Sequence, residues 1–168
     1  MALEMGLGVT PWSPLKGGLL TGKYTRDNAG KVTSARGDWV HGAFNETNYK
    51  IVDELIRVSK EVNSTPARVA LAWLQGQAGV TSSIIGSTSL AQLDDNLAAL
   101  DLKLSHEQMK ALDQVSQPKL NFPAEFLKRS GSFQAGGTTI NGETNPLNPI
   151  APKSDKERFD KARLVASK

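Results

Sequence analysis

The chain has 168 residues, of which 39% are hydrophobic and 22% are charged, and it contains no cysteine. This length suits one domain, and the composition is that of a globular protein rather than a disordered one. Without cysteine there is no disulfide, thiolate nucleophile or thiolate metal site. The two histidines, His41 and His106, lie far apart in the sequence, so we expect no metal centre.

Charge and hydropathy also exclude several classes of partner. No apolar run approaches the ~20 residues that a membrane helix needs, and the first residues lack the basic start of a signal peptide. We therefore expect a cytoplasmic protein with no membrane partner. The formal net charge is +3, and the basic excess lies in residues 151–168. Because this segment mixes both signs, we interpret it as a flexible, solvated tail and expect no nucleic-acid partner.

The first quarter of the chain combines one strand with long irregular segments. Residues 6–13 are apolar with β-forming residues, which predicts a short buried strand that ends at Pro14. A glycine-rich turn follows over residues 15–23. Residues 25–48 are polar with no clear period, which predicts a loop of unusual length. Loops of this length in compact domains are commonly functional.

Two helices are predicted next. Apolar residues at helical spacing predict a helix over residues 49–62. Thr65 is a good N-cap and Pro66 suits the first helical position, so a second and largely buried helix begins there. We expect that helix to end near Gly76 or Gly79.

A second strand and two more helices follow. Residues 80–85 predict a short strand that stops at Gly86. Ser89 with Gln92, and Ser105 with Gln108, have the spacing of capping boxes, so a helix is expected to begin at each serine. The expected apolar stripes of these helices are Leu93, Leu97 and Leu100 for the first, and Met109, Leu112 and Val115 for the second.

The pattern dissolves after Pro118. Residues 118–150 contain three spaced aromatic residues, Phe122, Phe126 and Phe133, and predict a long irregular extension. The alternation of strands and helices before it indicates an α/β fold with a parallel sheet and helical crossovers. Two strands are too few for a sheet of that kind, so we expect the chain to carry only part of its fold.

A phosphate-binding P-loop is the first candidate motif, and it fails. Gly17 to Lys23 match its G-x-x-x-x-G-K start, but the next residue must be Ser or Thr to hold Mg²⁺. Tyr24 stands there instead, and a turn-like segment rather than a long helix follows. The glycines and Lys23 remain suitable for approach to an anion.

A stronger signal follows the second strand. A glycine at the end of a strand, here Gly86, followed by hydroxyl residues and a new helix N-terminus, is typical of a phosphate site. Gln92 and Asn96 share one face of that helix, with Asp95 beside them, and such amides can recognise a heterocycle. A capping box with an ordinary polar face is the alternative interpretation.

Several of these stretches together resemble the aldo-keto reductases. The resemblance covers residues 5–116 in order and is carried by Pro11-Trp-Ser-Pro-Leu15, Gly18-Leu-Leu-Thr-Gly-Lys-Tyr24, Val69-Ala-Leu-Ala-Trp-Leu74, Ile84-Ile-Gly86, Gln92-Leu-Asp-Asp-Asn96 and Leu112-Asp113. These motifs are similar to those around the seventh and eighth strands of the family, in the variant that includes bacterial reductases and potassium-channel β subunits.

The resemblance implies the C-terminal part of a TIM (β/α)8 barrel that binds NADP(H). Residues 1–117 would be the cofactor-binding part, 118–150 a C-terminal loop bordering the substrate pocket, and 151–168 the tail. Residues 25–48 would form a strap over the cofactor. By motif match, the residues implied to contact the cofactor are Trp12, Ser13, Pro14, Leu15, Gly17, Lys23, Arg36, Gly86, Thr88, Gln92, Asp95 and Asn96.

The family's catalytic Asp, Tyr, Lys and His have no counterpart in this sequence. Tyr24 and Tyr49 are the only tyrosines, and neither lies in the catalytic motif. We therefore expect a truncated aldehyde and ketone reductase that is inactive alone, with no catalytic residue of its own, and that needs the missing N-terminal half or an oligomer to complete the barrel. The alternative is a non-catalytic regulatory or assembly module derived from the same fold.

Overall fold

A computed structural model describes residues 1–28, 41–148 and 150–158 of the chain. The chain separates into two compact units, Met1–Gln117 and Pro118–Lys168. The helices of the first unit are α1 (Glu46–Glu61), α2 (Pro66–Gln75), α3 (Leu90–Leu97) and α4 (His106–Ser116). Short 3-10 segments cover Lys16–Thr21, His41–Ala43 and Ala98–Asp101. None of the helices in the described ranges combines the length and apolar character needed to cross a membrane.

Each of the four helices begins where a side chain caps it, which confirms the predicted helices. Asn45, Thr65, Ser89 and Ser105 are the N-caps, and each side chain accepts the backbone N–H three residues later. Because Asn45 caps α1, that helix begins a turn earlier than its apolar pattern indicated.

Only one of the two expected capping boxes is complete. At α4 the Gln108 side chain accepts the Ser105 N–H, which closes the reciprocal pair. At α3 the side chain of Gln92 instead accepts the N–H of Thr88 at 2.9 Å. The predicted hydrogen bond from the Ser89 N–H to Gln92 is therefore wrong, because the donor is Thr88, one residue earlier. The helix itself starts as expected.

The core of the first unit lies between α1, α2 and α4. Leu55 and Val58 of α1 pack with Val69 and Ala70 of α2 and Leu112 of α4, and all five are buried. This arrangement follows from the helical spacing of their apolar residues. At the edge of the core, the Nε1–H of Trp73 donates to Asp113 Oδ1 at 2.9 Å and ties α2 to α4. A smaller cluster of Leu19, Tyr24 and Val52 lies beside it.

The two predicted strands lie side by side in parallel, but they are not regular strands. Isolated bridges join Val9 to Val80 and Trp12 to Ile84. The Thr81 N–H donates to the Val9 carbonyl at 2.9 Å, and the Ile84 N–H donates to the Pro11 carbonyl at 2.9 Å. The expected parallel pairing is thus confirmed at two points.

The expectation that the first of these strands is buried is wrong, and the second is exposed beside it. Trp12 is 74% exposed and Ile84 is 51% exposed. Pro11 and Pro14 have no N–H to donate to a ladder. Ser13 has a φ of 57°, which turns the chain out of the extended conformation. Among the described residues, no further strand pairs with either segment.

The apolar stripe predicted for α3 also differs from the structure. Leu97 and Leu100 are exposed, whereas Ala99 is buried. The reason is that α3 ends at Leu97 and the chain continues as a 3-10 segment. This tighter winding changes which residues face inward.

The second unit contains more regular structure than the irregular extension predicted for it. It holds the helix α5 (Ala124–Gln134), the two-stranded antiparallel hairpin β1 (Thr139–Ile140) and β2 (Glu143–Thr144), and the short helix α6 (Asp155–Arg158). Asn141 and Gly142 connect the strands with φ values of 51° and 82°. The Asn-Gly pair is a strong hairpin signal that the sequence analysis missed.

Candidate functional site

A groove of about 820 Å³ opens in the first unit. Its walls come from residues 12–23, the first turn of α2, residues 84–88 and α3. The groove is lined by all of the predicted cofactor residues except Arg36: Trp12, Ser13, Pro14, Leu15, Gly17, Lys23, Gly86, Thr88, Gln92, Asp95 and Asn96. Arg36 lies outside the described residues, as does most of the predicted strap.

Parallel pairing explains why two distant stretches of chain meet in this groove. The bridge between Trp12 and Ile84 sets the two segments in the same direction, so both leave the pairing at the same edge. Ser13 and Gly86 therefore lie on the same side of the molecule, where both line the groove. The positive φ of Ser13 then bends the chain into the turn of Lys16–Thr21.

Lys23 places a positive charge at the groove. Its Nζ lies 4.9 Å from the centre of the Tyr24 ring. It is close to Gly18, where a Cβ atom would lie 3.1 Å from Nζ, and Gly18 has a φ of 97°. The glycine therefore leaves room for the lysine to fold back over the turn. Among the described residues, no carboxylate forms an ion pair with Lys23.

The segment between the second bridge and α3 offers backbone donors. The N–H groups of Gly86 and Ser87 have no hydrogen-bond partner in the part of the chain that the structure describes. A Cβ at Gly86 would meet nothing within 4 Å, so the approach to this backbone is open. The N-terminus of α3 follows at once, and its dipole favours a negative charge.

Two side-chain amides line the groove with unused hydrogen-bonding groups. The Oε1 atom of Gln92 accepts from the Thr88 N–H and from the Thr88 hydroxyl at 3.0 Å, which orients its amino group. Asn96 is only 7% exposed, yet its side chain makes no hydrogen bond with any described residue. No side-chain N or O atom among the described residues is both fully buried and without a partner, so the amide of Asn96 is reached by solvent where it lines the groove.

Asp95 lines the groove but its carboxylate is engaged within the protein. Its Oδ1 accepts from Arg68 Nε at 2.7 Å. Its Oδ2 accepts from the hydroxyl of Thr65 at 3.1 Å. The three residues join α3 to the first turn of α2.

The first turn of α2 is the part of the site that sequence reasoning missed. The residues that line the groove without having been predicted are Gly18, Thr21, Thr65, Pro66, Ala67, Ile84, Ile85 and Ser87. For two of them the sequence carried a signal, because Thr65 and Pro66 mark a helix start. What the sequence did not show is that this start lies beside the N-terminus of α3.

The base of the long loop is anchored to α1. Arg26 pairs with Glu46 at 2.7 Å and Asp53 at 3.0 Å, and its guanidinium lies over the Tyr49 ring. The hydrogen bonds that Arg26 donates to these carboxylates, chiefly to Glu46, raise the pKa of Arg26 above its ordinary value. Within the described ranges, no group of three acidic or histidine side chains is arranged to hold a metal ion.

The structure also argues against the P-loop interpretation. Tyr24, which follows Lys23, is buried in the cluster with Leu19 and Val52 and does not reach the groove. The N–H of Thr25 donates to the Asn28 side chain at 2.7 Å, which forms a turn rather than the long helix of a P-loop.

Within the described residues, the groove thus brings together a lysine without an ion pair, unpaired backbone N–H groups just before a helix start, and side-chain amides with unused hydrogen-bonding groups. A sequence model described as the Aldo/keto reductase family matches residues 1–117. The chain belongs to the aldo-keto reductase family.

Individual relatives agree with this membership. The chain is similar to an uncharacterized oxidoreductase, YrpG, of Bacillus subtilis, with 36% identity over 114 residues, covering 68% of this chain and 33% of that protein. It is 32% identical over 130 residues to a probable voltage-gated potassium channel subunit beta of Arabidopsis thaliana, covering 72% and 39% of the two chains. It is 33% identical over 110 residues to a probable aldo-keto reductase 1 of Glycine max, covering 65% and 32%. The chain therefore spans a third to two-fifths of the length of these relatives.

Proposed function

We propose that the groove binds NADP(H) and that the chain is the cofactor-binding portion of an oxidoreductase that reduces aldehydes and ketones. The observation that carries the proposal is Asn96, a largely buried residue whose amide is open to the groove and makes no hydrogen bond with any described residue. An amide in this position recognises a ligand with matching donors and acceptors, and adenine is such a ligand.

The remaining groove residues fit the other parts of a dinucleotide. Lys23 and the backbone donors of Gly86 and Ser87 suit phosphate groups. Trp12 is exposed and lines the groove, and we propose that its ring offers a flat apolar surface to the nicotinamide. Ser13, Pro14, Leu15 and Gly17 would follow the diphosphate.

We propose that this portion binds and orients but does not complete the reaction. When bound, reduced nicotinamide supplies a hydride to a carbonyl carbon. The carbonyl oxygen then needs an acid, and Tyr24 is buried and outside the groove lining. The acid would come from the rest of a TIM barrel in which the two bridged segments correspond to strands seven and eight, supplied by an N-terminal half or by an oligomer. We also propose a cytoplasmic location.

A non-catalytic regulatory or assembly module is the second candidate. It is favoured by the relatives named as potassium channel β subunits, which occur in Arabidopsis thaliana, Schizosaccharomyces pombe and rice. Both candidates predict that the chain alone is not an active reductase. The test is incubation of the purified chain with NADPH and a panel of aldehydes, and we expect no oxidation of NADPH. Oxidation that copurified with the chain would overturn both candidates.

The direct test of the proposal is replacement of Asn96→Leu with measurement of NADPH binding by fluorescence anisotropy. Leucine has a similar volume, and the Asn96 side chain has no hydrogen-bond partner to lose among the described residues, so we expect an unchanged free energy of unfolding. Affinity for NADPH should fall by about tenfold, the equivalent of one or two lost hydrogen bonds.

Asn121→Leu is the matched control, because Asn121 is an exposed amide in the other unit. We expect its affinity for NADPH to equal that of the unchanged chain. The proposal fails if the unchanged chain binds no NADPH, or if Asn96→Leu binds as tightly as the control.

A further inference from the structure

We propose that Asp95 is a positioning residue that fixes the amide end of the groove, and that its carboxylate does not contact the ligand. This inference rests on the proposed function and refines it, because Asp95 would otherwise be counted among the groups that contact the adenosine part of the cofactor.

The first step is that the hydrogen-bonding capacity of Asp95 is directed into the protein. Its two oxygens accept from Arg68 Nε at 2.7 Å and from the Thr65 hydroxyl at 3.1 Å. The same hydroxyl accepts the backbone N–H of Arg68 at 3.2 Å. Thr65 thus caps α2 and donates to Asp95 at once, and the three residues form a closed triangle.

The second step is that α3 buries little apolar surface near the groove. Asn96 is its single buried residue, Leu90 and Leu97 of the same helix are 79% and 48% exposed, and the packing on α2 comes largely from the 3-10 segment that follows it. The groove end of α3 therefore depends on polar contacts for its position. The triangle of Thr65, Arg68 and Asp95 supplies such a contact, and its ion pair is only partly exposed, at 36% and 29% of the two side chains.

The third step is that the triangle joins two walls of the groove. Thr65 and Pro66 line it from α2, and Gln92 and Asn96 line it from α3. The turn that ends at Gly22 packs closely against the same Pro66, since a Cβ at Gly22 would lie 2.8 Å from the proline Cγ. The first turn of α2 is therefore the fixed point to which α3 is attached, and this attachment holds the amides in place before a ligand arrives.

The experiment compares Asp95→Ala, Arg68→Ala and the double variant. The probes are adenosine 2′,5′-bisphosphate, which resembles the adenosine end of NADP(H), and nicotinamide mononucleotide for the other end. We expect each single variant to bind the adenosine probe about fivefold more weakly, and the double variant to lose no more than either one. Binding of nicotinamide mononucleotide should stay unchanged, which also shows that the variants remain folded.

A direct contact between Asp95 and the ligand predicts a different result. Arg68→Ala would then release the carboxylate, so that it would preserve or increase affinity for the adenosine probe while Asp95→Ala reduced it, and this outcome would overturn the inference. Equal loss of affinity for both probes would also overturn it, because it would indicate general destabilisation. Asp95→Glu keeps a carboxylate, so it should bind the adenosine probe with most of the affinity that Asp95→Ala loses. If the unchanged chain binds neither probe, the proposed function itself fails. If the unchanged chain binds both probes and Asp95→Ala binds both with the same affinity, only this inference fails.

Discussion

The three-helix core and the pair of bridged segments are both rich in apolar residues, but they use them differently. Leu55 and Val58 of α1 are buried against α2 and α4 within the chain. Trp12 and Ile84 of the bridged segments are exposed. The helices therefore complete their own hydrophobic contacts, whereas the bridged segments leave theirs open.

The difference teaches where the candidate site draws its stability. The helices supply the rigid part of the groove, namely the first turn of α2 and the N-terminus of α3. The bridged segments supply Trp12, Ser13 and Gly86, which are joined to the unit by few hydrogen bonds. Functional sites are often built on such low-stability segments carried by a stable scaffold.

The largest expected effect tests whether the three-helix core owes its stability to buried apolar side chains. Leu55→Ala removes a buried side chain from the core, and we expect the free energy of unfolding to fall by about 2–4 kcal/mol in urea titrations. Leu100→Ala is the matched control at an exposed leucine, with an expected change within about 0.5 kcal/mol. A similar loss from both variants would show that Leu100 is covered in solution and would break the comparison.

A smaller effect tests how the groove turn depends on the helices. Gly22 has a φ of 79°, and a Cβ there would lie 2.8 Å from Pro66. We expect Gly22→Ala to lower the midpoint of thermal unfolding, with a loss of about 1–2 kcal/mol from the left-handed backbone alone. Gly42→Ala is the control, because a Cβ at Gly42 meets nothing within 4 Å. Two equal midpoints would mean that the turn does not rest on α2.

The smallest expected effect concerns the start of α4. Hydrogen bonds from the backbone N–H of Glu107 and from Ser105 lower the pKa of the Glu107 carboxyl below its ordinary 4.5. A lowered pKa in the folded state means that the ionised group stabilises the fold above pH 4.5 and that this contribution is lost as the pH falls through the lowered pKa. We expect Glu107→Gln to be slightly less stable than the unchanged chain at neutral pH and equal to it in strong acid. A difference that stayed constant with pH would contradict this assignment.

Sequence predicted the four helices of the first unit well because their signals are local, whereas the helices of the second unit were missed. Thr65, Ser89 and Ser105 mark helix starts that need only the next few residues to form. The prediction that α2 is largely buried also came from its own residues, and Val69 and Leu71 are buried as expected. The Asn141-Gly142 hairpin was equally local, and the β-forming residues Thr138-Thr139-Ile140 precede it, so its signal was present in the sequence and was missed.

The failures concern features that depend on distant parts of the chain. Exposure of Trp12 and Ile84 depends on what lies beside them, which composition alone does not state. The groove residues Thr65 and Pro66 were recognised as a helix start, but their place beside α3 follows from the packing of three segments. The engagement of Asp95 by Arg68 could not be predicted from spacing, because 27 residues separate them.

Three hydrogen bonds join the bridged segments, and they have a consequence for local opening. The amide of Val9 donates to Gly79, and the amides of Thr81 and Ile84 donate to Val9 and Pro11, in pairing that no neighbouring strand protects among the described residues. We expect these bonds to open at a lower free energy than α1 unfolds, so that these amides exchange with solvent through local fluctuation. A ligand that touched both segments would tie their exchange to the slower motions of the helices, and the groove would gain rigidity from what it holds.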